Sequence, residues 1–161
     1  MPEIQRLHAD HAAALLAFEQ ENRAYFAASV PDRGDEYFAR FEERHRALLD
    51  EQEAGECHFH LLVDEDGAVW GRFNLVDVAD GSAELGYRVA EWAAGRGVAS
   101  SGVRRVCELA VAEYGLSSLR ARTTADNAGS RAVLARTGFT QVGEFELDGR
   151  PGLRFVRALG G

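Results

Sequence analysis

Ala94-Gly95-Arg96-Gly97-Val98-Ala99-Ser100 stands between a strand-like run, Glu84-Leu85-Gly86-Tyr87-Arg88-Val89, and an amphipathic helix. A loop with two glycines that runs straight into a helix turns several consecutive backbone N–H groups toward one point, at the positive end of the helix dipole. This stretch therefore predicts a cradle for a pyrophosphate. The helix it opens carries Val98, Val103, Val106, Cys107, Ala110 and Val111 as an apolar stripe, and Gly115 is placed to end it.

Upstream of the loop the chain reads as an antiparallel meander. Cys57-His58-Phe59-His60-Leu61-Leu62-Val63 forms a strand, Asp64-Glu65-Asp66-Gly67 a hairpin turn, and residues 68–76 its partner. Asp80-Gly81 then turns the chain into the strand that ends at Val89. Before the meander come a short strand over residues 4–7 and two helices. The first is capped by Asp10 and presents Ala14, Leu15, Phe18 and Phe26; the second spans about residues 35–53, and Val30-Pro31-Asp32-Arg33-Gly34 separates them. Downstream, residues 119–124 resume as a strand, and Asp126-Asn127 opens a shorter helix reaching Arg136. Gly138 stops that helix, and two last strands, about residues 139–147 and 153–158, flank the turn Asp148-Gly149-Arg150-Pro151-Gly152. The order β-α-α-β-β-β-α-β-α-β-β predicts an α/β (α+β) fold: a mixed, mainly antiparallel seven-stranded sheet flanked by about four helices, in a single domain over residues 1–161. A dinucleotide fingerprint is the competing reading of Gly95-x-Gly97-x-Ala99. It fails on context, because antiparallel strands precede the loop where a βαβ unit should begin, and no acidic residue closes a second parallel strand about 20 residues on.

The 161 residues carry a net charge of −8, with 46% apolar and 27% charged residues, as expected of one globular domain. The charge is uneven. Residues 1–66 hold 6 Arg and 16 Asp or Glu, a balance of −10, whereas residues 67–161 hold 12 Arg and 10 Asp or Glu, a balance of +2. A polyanionic cofactor would find its partners in the second half and a cationic acceptor would be drawn to the first, while nucleic acid is an unsuitable partner. No basic, apolar leader opens the chain and no apolar run is long enough for a membrane span, so the expected place is the cytoplasm. Cys57 and Cys107, far apart and without C-x-x-C spacing, read as buried apolar residues. His58-x-His60 would share one strand face as half-exposed residues; as a metal site the pair needs ligands from elsewhere, and no metal is expected.

The element order, with a glycine loop after the fourth strand, resembles the GNAT superfamily of acetyl-CoA-dependent N-acetyltransferases over nearly the whole chain. The family's loop, Gln/Arg-x-x-Gly-x-Gly/Ala, falls on Ala94-Gly95-Arg96-Gly97-Val98-Ala99. Ala94 stands where Gln or Arg is expected, which removes one side chain and leaves the backbone cradle. Glu21-Asn22-Arg23 with Val30-Pro31-Asp32-Arg33, and Asn127-x-x-Ser130 with Thr137-Gly138-Phe139, resemble the signatures of the RimJ/RimL group, which acetylates ribosomal-protein N-termini. The resemblance implies acetyl-CoA as co-substrate and a primary amine as acceptor, either a peptide N-terminus or a small molecule.

It also places the candidate residues. Gly95, Arg96, Gly97, Val98, Ala99 and Ser100 would hold the pyrophosphate, and a backbone N–H near Arg88 or Val89 would bond the thioester oxygen. The resemblance makes Ser130 the group that protonates the departing sulfur; the alternative is a first-turn serine bonding locally. Asn127 would contact the pantetheine arm or cap its helix, and the two roles coexist. Arg131 and Arg136, with Arg104 and Arg105, are candidates for the coenzyme phosphates. Glu84 would take the amine proton through a water or else be a salt-bridged strand residue, with Asp148 as the weaker candidate base. Tyr87 would line the acceptor tunnel or pack in the core, and the exposed final strands allow a homodimer. A non-catalytic acyl-CoA sensor is the alternative to an enzyme.

Overall fold

The computed structural model describes residues 2–160. Seven strands form one open sheet: β1 (Glu3–Arg6), β2 (His58–Val63), β3 (Val69–Ala79), β4 (Ser82–Val89), β5 (Ser118–Thr124), β6 (Thr140–Leu147) and β7 (Arg150–Ala158), in the order β1-β2-β3-β4-β5-β7-β6. Every neighbouring pair is antiparallel except β4 and β5. That one parallel pair must be joined by a crossover, and α5 (Val98–Ala112) supplies it. The predicted architecture is therefore present.

The parallel pairing runs only from Ser82↔Ser118 to Leu85↔Ala121. Beyond it β5 continues against β7 as far as Thr124↔Gly152, and β4 continues against β3 as far as Val89↔Gly71. The sheet thus splits at its middle. Residues 86–89 keep one backbone edge unpaired inside the wedge, which positions everything described below.

Two cores lie on opposite faces. Phe73, Leu75, Leu85, Leu119, Ala121 and Phe155 pack with Val103, Val106, Cys107 and Ala110 of α5 and Leu134 of α6 (Ala128–Arg136). On the other face Leu15 and Phe18 of α1 (Ala12–Glu21), Phe26 of α2 (Arg23–Ala27) and Phe41 of α4 (Phe41–Glu53) cover Phe59 and Leu61. Gly102 sits where α5 crosses Phe73, so close that a Cβ would collide with the ring, and Phe73 is fully buried. Gly102→Ala is expected to cost about 1–3 kcal/mol through overpacking, although alanine is the better helix former; denaturant unfolding checks it.

Among the described residues six α-helices replace the expected four or so, because each of the first two is broken. The breaks fall at Asn22 (φ −105, ψ 9) and Arg40 (φ −111, ψ 27), the latter between α3 (Asp35–Ala39) and α4. At Asn22 the cause is tertiary: its Nδ2 donates to the Phe18 carbonyl at 2.9 Å and its Oδ1 accepts from the Glu91 N–H at 3.0 Å. The final hairpin is also tighter than expected. Asp148 (φ 49) and Gly149 (φ 78) alone make the turn, and Pro151 and Gly152 already belong to β7. Gly152 lies under the Phe145 ring, leaving no room for a side chain.

Cys57 and Cys107 are free and buried, as expected. His58 and His60 are buried rather than half-exposed, since β2 is covered on both faces. His58 stacks on Tyr114 with ring centroids 3.6 Å apart. The His60 Nδ1 donates to the Phe73 carbonyl at 3.1 Å, so its Nε2 accepts from the Tyr114 hydroxyl at 2.6 Å. Burial pushes the His60 pKa down to about 4. Because the folded value lies below the unfolded one, this stability is complete above about pH 6.5 and is lost as pH falls toward the folded value. An NMR titration of His60 should show its midpoint near 4, with roughly 2–3 kcal/mol lost between neutrality and that point.

Candidate active site

A cleft of about 910 Å³ occupies the wedge between β4 and β5 and runs from the glycine loop to the β6–β7 turn. Gly95 and Gly97 both take φ +76, a conformation that side chains rarely adopt, and a Cβ on either would meet nothing within 4 Å. The glycines are therefore required by the backbone path and leave open space in front of it. Gly97 is the N-cap residue of α5 and offers no side-chain cap. The first helical bond is Ser101 N–H to Gly97 carbonyl at 3.0 Å, so the amides of Val98, Ala99 and Ser100 have no helical acceptor. Uncapped amides at the end of a 15-residue helix, in an open cleft, suit a diphosphate. Gly97→Ala should destabilise the fold by about 1–2 kcal/mol, the cost of forcing alanine into the left-handed region; denaturant unfolding measures it.

The second wall brings Asn127 and Ser130 to Tyr87. Asn127 caps α6 by accepting the Ser130 N–H through Oδ1 at 3.1 Å, and it also lines the cleft. The Ser130 Oγ lies 3.2 Å from the Tyr87 hydroxyl, across the wedge on β4. Burial raises the Tyr87 pKa, against the opposing effect of the Ser130 bond, so the phenol stays protonated at neutral pH. Its ring stacks on Phe73 at 6.0 Å, which ties this pair to the core contact with Gly102. Tyr87 is thus both a packing residue and a lining residue.

Other candidates fall in different places. Glu84 lines the cleft, but its Oε2 accepts from Arg122 Nη2 at 3.0 Å and Nε at 3.2 Å, and Arg120 lies 3.8 Å from Oε1. Asp148 is exposed at the far end of the cleft. Arg136 lines it too, whereas Arg96 is exposed outside its lining. Arg131 donates to the Ala125 carbonyl at 3.1 Å, Arg105 to Glu108 at 3.3 Å and Arg104 to the Arg136 carbonyl at 3.3 Å.

One cluster has no counterpart in the sequence reading. Glu19 is 1% exposed and pairs with three arginines: Arg72 Nη1 at 2.8 Å, Arg33 Nε at 3.1 Å and Arg88 Nη1 at 3.3 Å. Burial would raise the Glu19 pKa, but the three guanidiniums outweigh it and hold the carboxyl below its ordinary value. The Arg88 guanidinium also lies 4.9 Å from the Phe26 ring centroid. Arg33, Arg72 and Arg88 all line the cleft on the side of the sheet that faces α1 and α2. The Glu21-Asn22-Arg23 and Pro31-Asp32-Arg33 segments gain physical roles here. Asn22 clamps the approach to the glycine loop, Arg23 binds Asp32 at 2.7 Å and Asp35 at 2.8 Å, and the loop so shaped delivers Arg33 to Glu19.

Comparison with known proteins bears on the family and the fold. A family profile described as an acetyltransferase (GNAT) domain matches residues 3–140. A probable N-acetyltransferase, YjcK, of Bacillus subtilis (strain 168) is 26% identical over 147 residues, covering 87% of this chain and 81% of that protein. The ribosomal-protein-S5-alanine acetyltransferase of Vibrio fischeri superposes with a TM-score of 0.92 at 16% identity, over 98% of this chain and 93% of that one. Mycobacterium smegmatis RimJ in complex with CoA-disulfide superposes at 0.85 and 22% identity, over 96% and 80%. At these identities the two structures establish a shared fold, while the profile covers most of the chain. The chain belongs to the GNAT acetyltransferase family.

Proposed function

We propose that the chain acetylates a primary α-amine, such as the N-terminus of a peptide or protein, by direct attack on acetyl-CoA in a ternary complex. The observation that carries this reading is the meeting of Ser130 and Tyr87 across the split between β4 and β5, in the same cleft as the uncapped α5 amides. Bound there, acetyl-CoA supplies an activated acyl carbon and a thiolate leaving group. The amides of Val98, Ala99 and Ser100 hold its diphosphate, and the unpaired backbone edge at residues 86–89 orients its arm, with an N–H near Arg88 or Val89 available to an oxyanion. Ser130 gives a proton toward the sulfur and is resupplied by the Tyr87 hydroxyl, which takes a proton in turn from solvent in the cleft.

The choice of amine follows from the base. Glu84 is held by Arg122, so the proton leaving the nitrogen must pass to it through water or go directly to solvent. An α-amine, with a reference pKa of about 8, is neutral often enough for that; a lysine near 10.4 is not. Turnover of acetyl-CoA against N-terminal peptides, polyamines and aminoglycosides tests the reading, and peptides should be acetylated fastest. Binding of acetyl-CoA with no turnover of any amine would favour a sensor instead.

A further inference from the structure

Three arginines around one glutamate leave two positive charges uncompensated in a largely buried place. The side chains of Arg72, Arg88 and Arg33 are 4%, 20% and 25% exposed, and Glu19 is 1% exposed. Excess charge of one sign is expensive to bury, and folded proteins pair it. Among the described residues no further acid pairs with the cluster. Asp32 of the Arg33 loop and Asp35 at the start of α3 are bound to Arg23. Glu84 is bound to Arg122 and Arg120. The like charges of Arg33 and Arg72, after burial itself, already act to lower the Arg88 pKa.

Two more groups on the same wall lack partners. Arg72 Nε and Asn74 Oδ1 are buried and make no hydrogen bond among the described residues. Asn74 lies directly opposite Gly86, the first residue of the free β4 edge, and lines the cleft with Arg72 and Arg88. An unpaired acceptor beside that edge and an unpaired positive cluster one step along it describe a ligand with an N–H at one end and a negative group at the other. We infer that the acceptor amine carries a carboxylate close to its nitrogen, bound by Arg33, Arg72 and Arg88 while Asn74 accepts a hydrogen bond from the amine end. This rests on the acetyl-transfer reading above and narrows its substrate class. It departs from the cationic acceptor expected from the acidic first half of the sequence, because the charge that reaches the cleft from that half is Arg33.

The test is steady-state acetylation of short peptides with Asp or Glu at the first or second position, each paired with its Asn or Gln counterpart, alongside free amino acids and their α-carboxamides. Acidic acceptors should show KM lower than their amide counterparts by roughly tenfold or more, the usual weight of a charge-assisted bond. A preference among peptides alone assigns the carboxylate to a peptide side chain; one among the free compounds assigns it to an amino acid. Arg33→Gln should collapse the acid-to-amide ratio to within about threefold, while Arg33→Lys keeps most of it. Each variant is its own control through this ratio, and Arg33 comes from a loop rather than the sheet. Equal KM values for acids and amides, a preference for basic acceptors, or an unchanged ratio in Arg33→Gln overturns the inference and leaves acetyl transfer standing. If nothing is acetylated, calorimetry of the same pairs in the presence of coenzyme A decides: acid-selective binding keeps the anion site and removes the transferase reading, and unselective or absent binding removes the site.

Discussion

Ser130→Ala should lower kcat by roughly 10²–10³-fold, the usual range for losing a positioned proton donor. The Asn127 cap uses the Ser130 main-chain N–H, so alanine preserves it and α6 should remain intact. The loss should fall on kcat rather than on acetyl-CoA affinity, because the proposed diphosphate site is the uncapped start of α5 on the opposite wall. Tyr87→Phe removes the other half of the 3.2 Å pair while keeping the stack on Phe73, and should cost less, about tenfold. The double variant separates a relay from two independent effects. Residues that act as a unit are non-additive, so Ser130→Ala with Tyr87→Phe should be little worse than Ser130→Ala alone. A kcat within threefold of the parent would reduce Ser130 to a first-turn serine bonding locally.

The parts of this site that the sequence exposes are those built from contiguous residues. The glycine loop is legible because two glycines, a preceding strand and a following amphipathic stripe are neighbours, and both glycines do take positive φ. Asn127 and Ser130 are legible for the same reason. The wedge is not, because it arises where β4 and β5 stop pairing after Leu85 and Ala121, and nothing local distinguishes Leu85 from Gly86 as the last paired position. Asn22 breaks a helix through a bond to Glu91, 69 residues away, with no glycine or proline to announce it. His58 and His60 alternate with apolar residues as a half-exposed strand would, yet both faces of β2 are covered. Glu19 is the clearest case. Its partners come from the loop before α3, from β3 and from β4, so four residues scattered along the sequence become one buried cluster.

That cluster carries the second large prediction. Glu19→Gln keeps the shape of the side chain but removes the negative charge shared by Arg33, Arg72 and Arg88, and should destabilise the fold by about 3–5 kcal/mol, the cost of breaking a buried pair from one side. The surviving amide oxygen can still accept a bond, but three guanidiniums then face one another with no counter-charge. The direction with pH follows from the lowered Glu19 pKa. A carboxyl whose folded pKa lies below its unfolded one contributes its full stability above the unfolded value, and loses it as pH falls through the folded value. The difference in unfolding free energy between parent and Glu19→Gln should therefore be constant near neutrality and shrink on acidification below the ordinary carboxylate range. Adding Arg33→Gln to Glu19→Gln should recover part of the loss, since it removes one of the repelling charges. Denaturant unfolding of the three proteins across that pH range measures all of this. A pH-independent difference would mean that Glu19 acts through packing, and the excess positive charge on the acceptor wall would then lose its electrostatic basis.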